Sequence, residues 1–245
     1  MTQDMTPPLA PLPQVALAHQ APSAEDAVLD AALNHVAFEG WSDATFQAAV
    51  HEAGVNPTVA QALFPRRALD LALAYHRRGD AAMVAGLAAR DLTALRFRDR
   101  VALAVRLRLE AAHDTEAVRR GLTLFALPIH AAEGARALWG TADAIWTALG
   151  DTSQDHNWYT KRATLSGVYS ATVLYWLGDE SPGHEATWAF LDRRIDNVMQ
   201  IETAKGQMRK APGLGRLVRQ AEQMLSRIQA PKPRDDVPGQ THGTL

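Results

Sequence analysis

An all-α bundle of about ten helices with an N-terminal helix-turn-helix is the fold this chain predicts, and three features of its 245 residues point there. Ala and Leu dominate over β-branched and aromatic residues, a balance that favours helices over sheets. Apolar side chains recur at i, i+3, i+4 and i+7 in one segment after another. Capping residues and breakers stand between those segments, as helix termini require.

Taken in order, helical spacing begins at Ala24, where Val28, Leu29, Ala32, Val36 and Phe38 form a stripe that Gly40 ends. Ser42 and Asp43 cap a second helix through Phe46, Ala49 and Val50, closed by Gly54. Asn56-Pro57 opens a short third helix to Phe64, and Pro65 restarts the chain into a fourth, from Arg66 to Arg78 and on to Ala89. The run 101–109, VALAVRLRL, alternates with period two. It still reads as helix, because its flanks are helical and Leu and Arg are good helix formers. Further helices are expected at 115–127, 130–149, 156–177, 184–204 and 213–229. The organisation that follows is a leader at 1–22, an N-terminal helical domain at 23–90, a C-terminal helical domain at 91–204, a hinge and amphipathic helix at 205–229, and a tail at 230–245.

Composition narrows the functions. Hydrophobic residues make up 47% of the chain, enough for a substantial core, and with no Cys, disulfides, thiolate metal sites and Cys nucleophiles are excluded. No apolar run approaches the ~20 residues that a membrane-spanning helix needs. Residues 1–22 hold five prolines and no Lys or Arg, the first basic residue being Arg66, which is unlike a secretory or mitochondrial targeting segment. The expectation is a bacterial cytoplasmic protein.

Enzyme signatures are sparse. Glu110-Ala-Ala-His113 is a single Glu-x-x-His, whereas di-iron bundles need two such pairs and two further Glu. There is no His-Glu-x-x-His, phosphate-binding loop or Gly-x-Ser-x-Gly elbow, and the nine His follow no ligand spacing. His35, His51 and His76 are expected on partly exposed helix faces. No catalytic residue, metal or cofactor is assigned, and the chain reads as a non-enzyme.

Residues 28–75 resemble the N-terminal domain of TetR-family regulators, through the Glu39-Gly40-Trp41 turn, Glu52-Ala53-Gly54-Val55 and the Phe64-Pro65 step into a long helix. The resemblance implies a TetR-like bundle, a symmetric homodimer and a ligand cavity in the C-terminal part. Operator binding does not fit the charges. The would-be recognition segment from Asn56 to Phe64 has no Lys or Arg. Residues 24–76 carry two arginines against seven acids, a net of −5. Phosphate neutralisation supplies most non-specific affinity for DNA, and this field is repulsive. A ligand-responsive regulator is the runner-up reading.

The string Gly150-Asp151-x-Ser153-x-Asp155-x-Asn157-Trp158-Tyr159-Thr160-Lys161-Arg162, followed by Asp179, Ser181, Thr187-Trp188 and FLDRRIDNVM at 190–199, resembles the coenzyme Q (ubiquinone) biosynthesis accessory family, "Coq nine". His156 and His130 depart from it, standing where an aromatic residue and an Asn are expected. The resemblance implies a protein that binds isoprenoid lipids or quinone intermediates in a C-terminal cavity. It further implies presentation to the di-iron demethoxyubiquinone hydroxylase at the membrane surface, here peripherally on the inner membrane. Asp155, Trp158, Tyr159 and Arg162 fall at i, i+3, i+4 and i+7 of one helix and have the composition of an interface hot spot. Read on their residues alone, Trp158 is better taken as a buried residue and Asp155 as a helix cap; the resemblance favours partner contact. Candidate cavity residues are Leu124, Phe125, Leu138, Trp139, Ile145 and Trp146, each of a type that also fills plain core.

The last helix carries Leu214, Leu217, Val218, Ala221, Met224, Leu225 and Ile228 on one stripe, with Arg216, Arg219 and Arg227 off it. Such a helix lies in a membrane interface or packs on the core, and apolar burial dominates either way. The basic stretch before it, with Lys205, Arg209, Lys210 and Pro212-Gly213, favours the membrane reading, because a helix so tethered can leave the body.

Overall fold

The computed structural model describes residues 23–210, and the side chains of these except Met199 and residues 201–210. Among the described residues every regular element is helical: α1 (Ala24–Glu39), α2 (Asp43–Glu52), α3 (Pro57–Leu63), α4 (Ala68–Ala88), α5 (Phe97–Glu110), α6 (Thr115–Ala126), α7 (Ala131–Ala148), α8 (His156–Trp176) and α9 (Glu185–Lys210), with a 3-10 turn at Pro182–His184. The run 101–109 lies within α5, and α4 passes through Gly79-Asp80 without a break. The expected helix at 213–229 and both chain ends lie outside the described residues.

Side-chain caps start five of the helices. Ser23, Ser42, Asn56, Asp114 and Asp155 each accept a bond from an amide in the following turn. Gly40, at φ +66, ends α1 in a conformation that favours glycine. The turn after it is locked when Thr45 Oγ1 donates to the Gly40 carbonyl at 2.6 Å.

Two hydrophobic cores share α4. Its first half places Leu71, Ala72 and Ala74 among Val28, Leu29, Val36, Trp41, Phe46 and Phe64, so α1 to α3 pack around it. Its second half sends Met83 and Leu87 into a larger core with Val105, Leu109, Ile145, Leu165, Tyr169, Trp176 and Leu191 from α5 and α7 to α9. The helix α6 belongs to the first core through Ala117, Leu124 and Phe125, and Trp41 Nε1 donates to the Ala117 carbonyl at 3.0 Å. The two cores therefore meet along α4 and α6.

Two expectations change. Phe38 is 85% exposed and lies off the stripe that Val28, Leu29, Ala32 and Val36 bury. The ninth helix runs on to Lys210, so the basic stretch at 205–210 is helical instead of a hinge. His76 is part-exposed on α4, as expected, and its Nε2 reaches α7, within 3.1 Å of Ala137 and 2.8 Å of Thr141.

Candidate functional site

A cavity of about 300 Å³ opens where α4 to α8 converge. Small residues facing one another leave the space: Gly121 and Ala126 on α6, and Ala131, Gly134 and Ala135 on α7. A Cβ at residue 134 would lie 2.7 Å from Phe125 Cβ, so glycine is what lets these two helices approach so closely. The larger apolar walls are Trp41, Leu109, Phe125, Leu138 and Val173.

One end of the cavity is polar. Buried Arg108 donates from Nε to Asp80 Oδ1 at 2.6 Å and from Nη2 to the His76 carbonyl at 3.0 Å. The guanidinium reaches this spot because residue 79 lacks a side chain; a Cβ there would lie 2.5 Å from Arg108 Nη1. Thr141 Oγ1 donates to Asp80 Oδ1 at 2.9 Å, and so accepts from His76 Nε2–H at 2.8 Å. Burial, reinforced by the Arg108 charge, lowers the His76 pKa to about 4, so the imidazole is neutral at pH 7 and its 3.7 Å approach to Asp80 is no ion pair. Burial opposes the charge on Arg108 as well, but Tyr169 and Asp80 outweigh it and the guanidinium pKa is raised. Burial likewise raises the Tyr169 hydroxyl, whose ring centroid lies 5.9 Å from Arg108 Cζ. The polar end is thus a neutral imidazole, a phenol and a guanidinium already matched by a carboxylate. It suits a mainly apolar ligand with an oxygenated end.

The six residues expected to line a cavity divide. Phe125 and Leu138 line this one. Ile145 is fully buried in the larger core and unavailable to a ligand, because the α7 face that carries it turns towards α5 and α8. Leu124 packs on the first core. Trp146 stacks on Phe97 at 5.5 Å and lines a separate pocket of about 230 Å³ walled mainly by α8, with α5 and α9. Trp139 joins the aromatic face described next. Sequence reasoning missed Arg108 and His76, although both carry a signal: each sits on an apolar stripe, Arg108 with Val101, Ala104 and Val105, and His76 with Ala72 and Met83.

The start of α8 gathers aromatic side chains. Trp158 and Tyr159 pack edge to face at 4.8 Å, and Trp139 approaches them at 5.8 and 6.3 Å. Trp158 and Tyr159 are half-buried, and Asp155 caps α8 by accepting from the Asn157 amide at 2.9 Å. Arg162 departs from the expected contact face. It is 2% exposed and donates to Asp143 at 2.5 Å, to Asp151 at 3.0 Å and to the Trp158 carbonyl at 3.1 Å, with Cζ 4.0 Å from the Trp158 ring. Its bonds to Asp143 and Asp151 draw Arg162 inward, so it supports the aromatic face from beneath. Burial raises the Asp151 pKa, but bonds from Lys161, Ser153 and Arg162 outweigh it and hold it at about 2. The spacing of the Gly150–Arg162 string follows from this network, in which Asp151 meets Ser153 two residues on and the adjacent Lys161 and Arg162 of α8. Asp179 is a second such anchor: bonds from Ser181 and Thr187 lower its pKa, and it holds the Thr187 amide at 2.8 Å near the start of α9. Glu110 is paired with Arg106 at 2.7 Å, and among the described residues no three His, Asp or Glu gather as a metal site would need.

Comparison with known proteins adds three findings. Residues 131–202, which hold α7, α8 and most of α9, match the COQ9 family model. Among curated proteins, the chain is 32% identical over 180 residues to the mitochondrial ubiquinone biosynthesis protein COQ9 of Drosophila melanogaster, covering 71% of this chain and 55% of that one. It is 27% identical over 198 residues to the probable mitochondrial ubiquinone biosynthesis protein coq9 of Dictyostelium discoideum, covering 76% and 63%. The chain therefore spans roughly half to two thirds of the length of these relatives. Among solved structures, a TetR transcriptional regulator from Nitrosomonas europaea shares the fold, with a TM-score of 0.59 and 21% identity over 70% of this chain and 95% of that one.

Proposed function

The chain belongs to the COQ9 family and has a TetR-like fold, and from that premise we propose that it is a lipid-binding accessory protein of ubiquinone biosynthesis. It takes an isoprenoid lipid or quinone intermediate into the cavity between α4 and α8. It then presents that ligand to the di-iron demethoxyubiquinone hydroxylase at a membrane surface. The observation that carries this reading is the chemistry of the cavity: apolar walls, with one hydrogen-bonding end whose charges are already matched. A quinone ring has carbonyl oxygens for that end and a prenyl chain for the walls.

The aromatic face of Trp139, Trp158 and Tyr159 is the surface for the hydroxylase, with Arg162 and Asp151 as its rigid support. Exposed Leu174, with Tyr175 stacked on Phe190 at 4.5 Å, supplies an apolar face on α8 and α9 for a homodimer. No described helix is long and apolar enough to cross a membrane. The apolar spacing from Leu214 to Ile228 in the sequence is assigned the task of holding the protein on the bilayer.

The regulator reading has the fold in its favour. Against it, Arg66 is paired with Asp70 at 2.7 Å and Arg67 with Asp43 at 3.0 Å, so both arginines of the first three helices and their exit are already engaged. Low-salt retention of specific duplex DNA is what would restore it.

The test of the proposed function is to fill the cavity. Ala135 is an exposed lining residue, so Ala135→Trp occupies the space without entering the core. Organic extracts of the wild-type protein are expected to contain a prenylated lipid and those of the variant none, at an unchanged melting temperature. Equal lipid in both would place the ligand elsewhere.

A further inference from the structure

The lining of the cavity between α4 and α8 is graded from inside to outside. Arg108, Leu109, Ala117 and Tyr169 are buried, whereas Leu122, Ala126, Ala131 and Ala135 are exposed. The exposed part of the lining therefore lies at the corner where α6 turns into α7. The connection between Ala126 and Ala131 is Leu127-Pro128-Ile129-His130, in which Ile129 is 77% exposed and Leu127 46%. Apolar surface thus runs without interruption from the chamber, over its rim, onto a projecting corner. The other exposed wall, Leu174 on α8, belongs to the face assigned above to the homodimer.

Three things identify what this corner meets. A cavity of about 300 Å³ is at the small end of ligand pockets, so it holds the head of a long prenylated molecule while the tail must leave through the rim. The hydrogen-bonding groups are at the inner end, which sets the head inward and the tail towards the corner. Near the corner, on the first turns of α7, Arg136 is 77% exposed and only loosely paired with Glu133 at 3.8 Å, which leaves a positive charge for a surface carrying anionic headgroups.

We propose that the α6–α7 corner, with Ile129 and Leu127 at its tip and Leu122 and Ala126 at its rim, dips into the lipid bilayer and is the port through which an apolar chain passes between membrane and cavity. The port rests on the lipid-cavity reading above and adds to it the route and the head-inward orientation. It is distinct from the stripe at 214–228, which holds the protein on the surface. A tip of two apolar side chains inserts only shallowly, so it acts once the chain is already held there.

The chain contains no cysteine, so Ile129→Cys in the full-length protein gives one labelling site for an environment-sensitive nitrobenzoxadiazole dye. The control is Gln47→Cys, exposed on α2. Vesicles are equal parts phosphatidylethanolamine and phosphatidylglycerol, with and without ubiquinone. The label at 129 is expected to brighten and shift to the blue with vesicles, and the label at 47 to stay unchanged. In unlabelled protein, uptake of ubiquinone is read as quenching of tryptophan emission, since Trp41 lines the cavity. Ile129→Asp is expected to slow uptake on the order of tenfold while the protein still sediments with vesicles and melts as the wild type does. Wild-type uptake with a silent label at 129, or an Ile129→Asp variant that loads at the wild-type rate, overturns the port and leaves the cavity standing. No uptake by the wild type overturns both. A label that shifts with protein concentration in the absence of vesicles makes the corner a protein interface and also overturns the port.

Discussion

At His76 an imidazole that titrates near pH 6.5 in an unfolded chain is held neutral by burial and by the neighbouring Arg108, with its pKa lowered to about 4. Between those two values the unfolded chain binds a proton that the folded one refuses, so stability falls as the pH drops through that window. The slope is at most about 1.4 kcal/mol per pH unit. The melting temperature should therefore decline between pH 7 and pH 5. His76→Gln, which keeps a donor for Thr141 and Ala137, should flatten that decline; an unchanged slope would mean that another group is responsible. Asp151, held at about 2, acts in the same direction but only in acid: its stabilisation is complete above about pH 4 and is lost as the pH falls towards 2. Trp158 separates contact from support. Trp158→Lys puts a charge on the aromatic face and removes a hot-spot side chain worth about 2 kcal/mol or more to binding. Co-purification with the hydroxylase should fall while melting, which depends on the Arg162–Asp151 pair beneath, moves little. A large drop in melting temperature with binding retained would make Trp158 a core residue. Much of this scale was legible. The aromatic pair and the Asp155 cap could be read from spacing, and Arg108 and Arg162 stand on apolar stripes, a mark of buried charge. Their partners Asp80, Asp143 and Asp151 were not legible, because only the packing of separate helices brings those carboxylates in.

The helices follow from local chemistry, and their boundaries fall within a few residues of where caps and glycines put them. The alternating run 101–109 was ambiguous by period, and residue types with good helix propensity decided it. Phe38 shows the limit of the same reasoning: two residues on from buried Val36, it falls on the opposite side of α1 and is left outside. The C-terminal stripe from Leu214 to Ile228 is tested at this scale. Deleting residues 206–245 is expected to abolish sedimentation with anionic vesicles and to leave a soluble body with both cores intact. High salt should weaken binding of the full chain only in part, since apolar burial outweighs the arginines. A truncated protein that aggregates would make the stripe a core element, and one that stays soluble and still binds vesicles would remove its membrane role.

Across the whole molecule, a helix-turn-helix scaffold and a larger helical core are joined along α4 and α6, and the cavity of about 300 Å³ lies at that seam. The sequence does not announce a space of this kind. Gly121, Gly134 and Ala135 look like ordinary helix residues, and the gap they leave exists only once α6 and α7 lie side by side. That is why aromatic and large aliphatic residues, the natural guesses for a lipid site, divide between cavity and core. Family membership and TetR-like architecture, by contrast, were carried by the Gly150–Arg162 string and the Glu39-Gly40-Trp41 turn. The central proposal is that this scaffold carries a prenylated ligand instead of reading DNA. Native mass spectrometry of the full-length protein, purified without detergent from a quinone-producing host, tests it most directly. The expected spectrum is a dimer whose mass exceeds that of its two chains by one or two prenylated quinone intermediates, released intact on activation. A spectrum of bare chains, unchanged after incubation with ubiquinone-loaded vesicles, would contradict it.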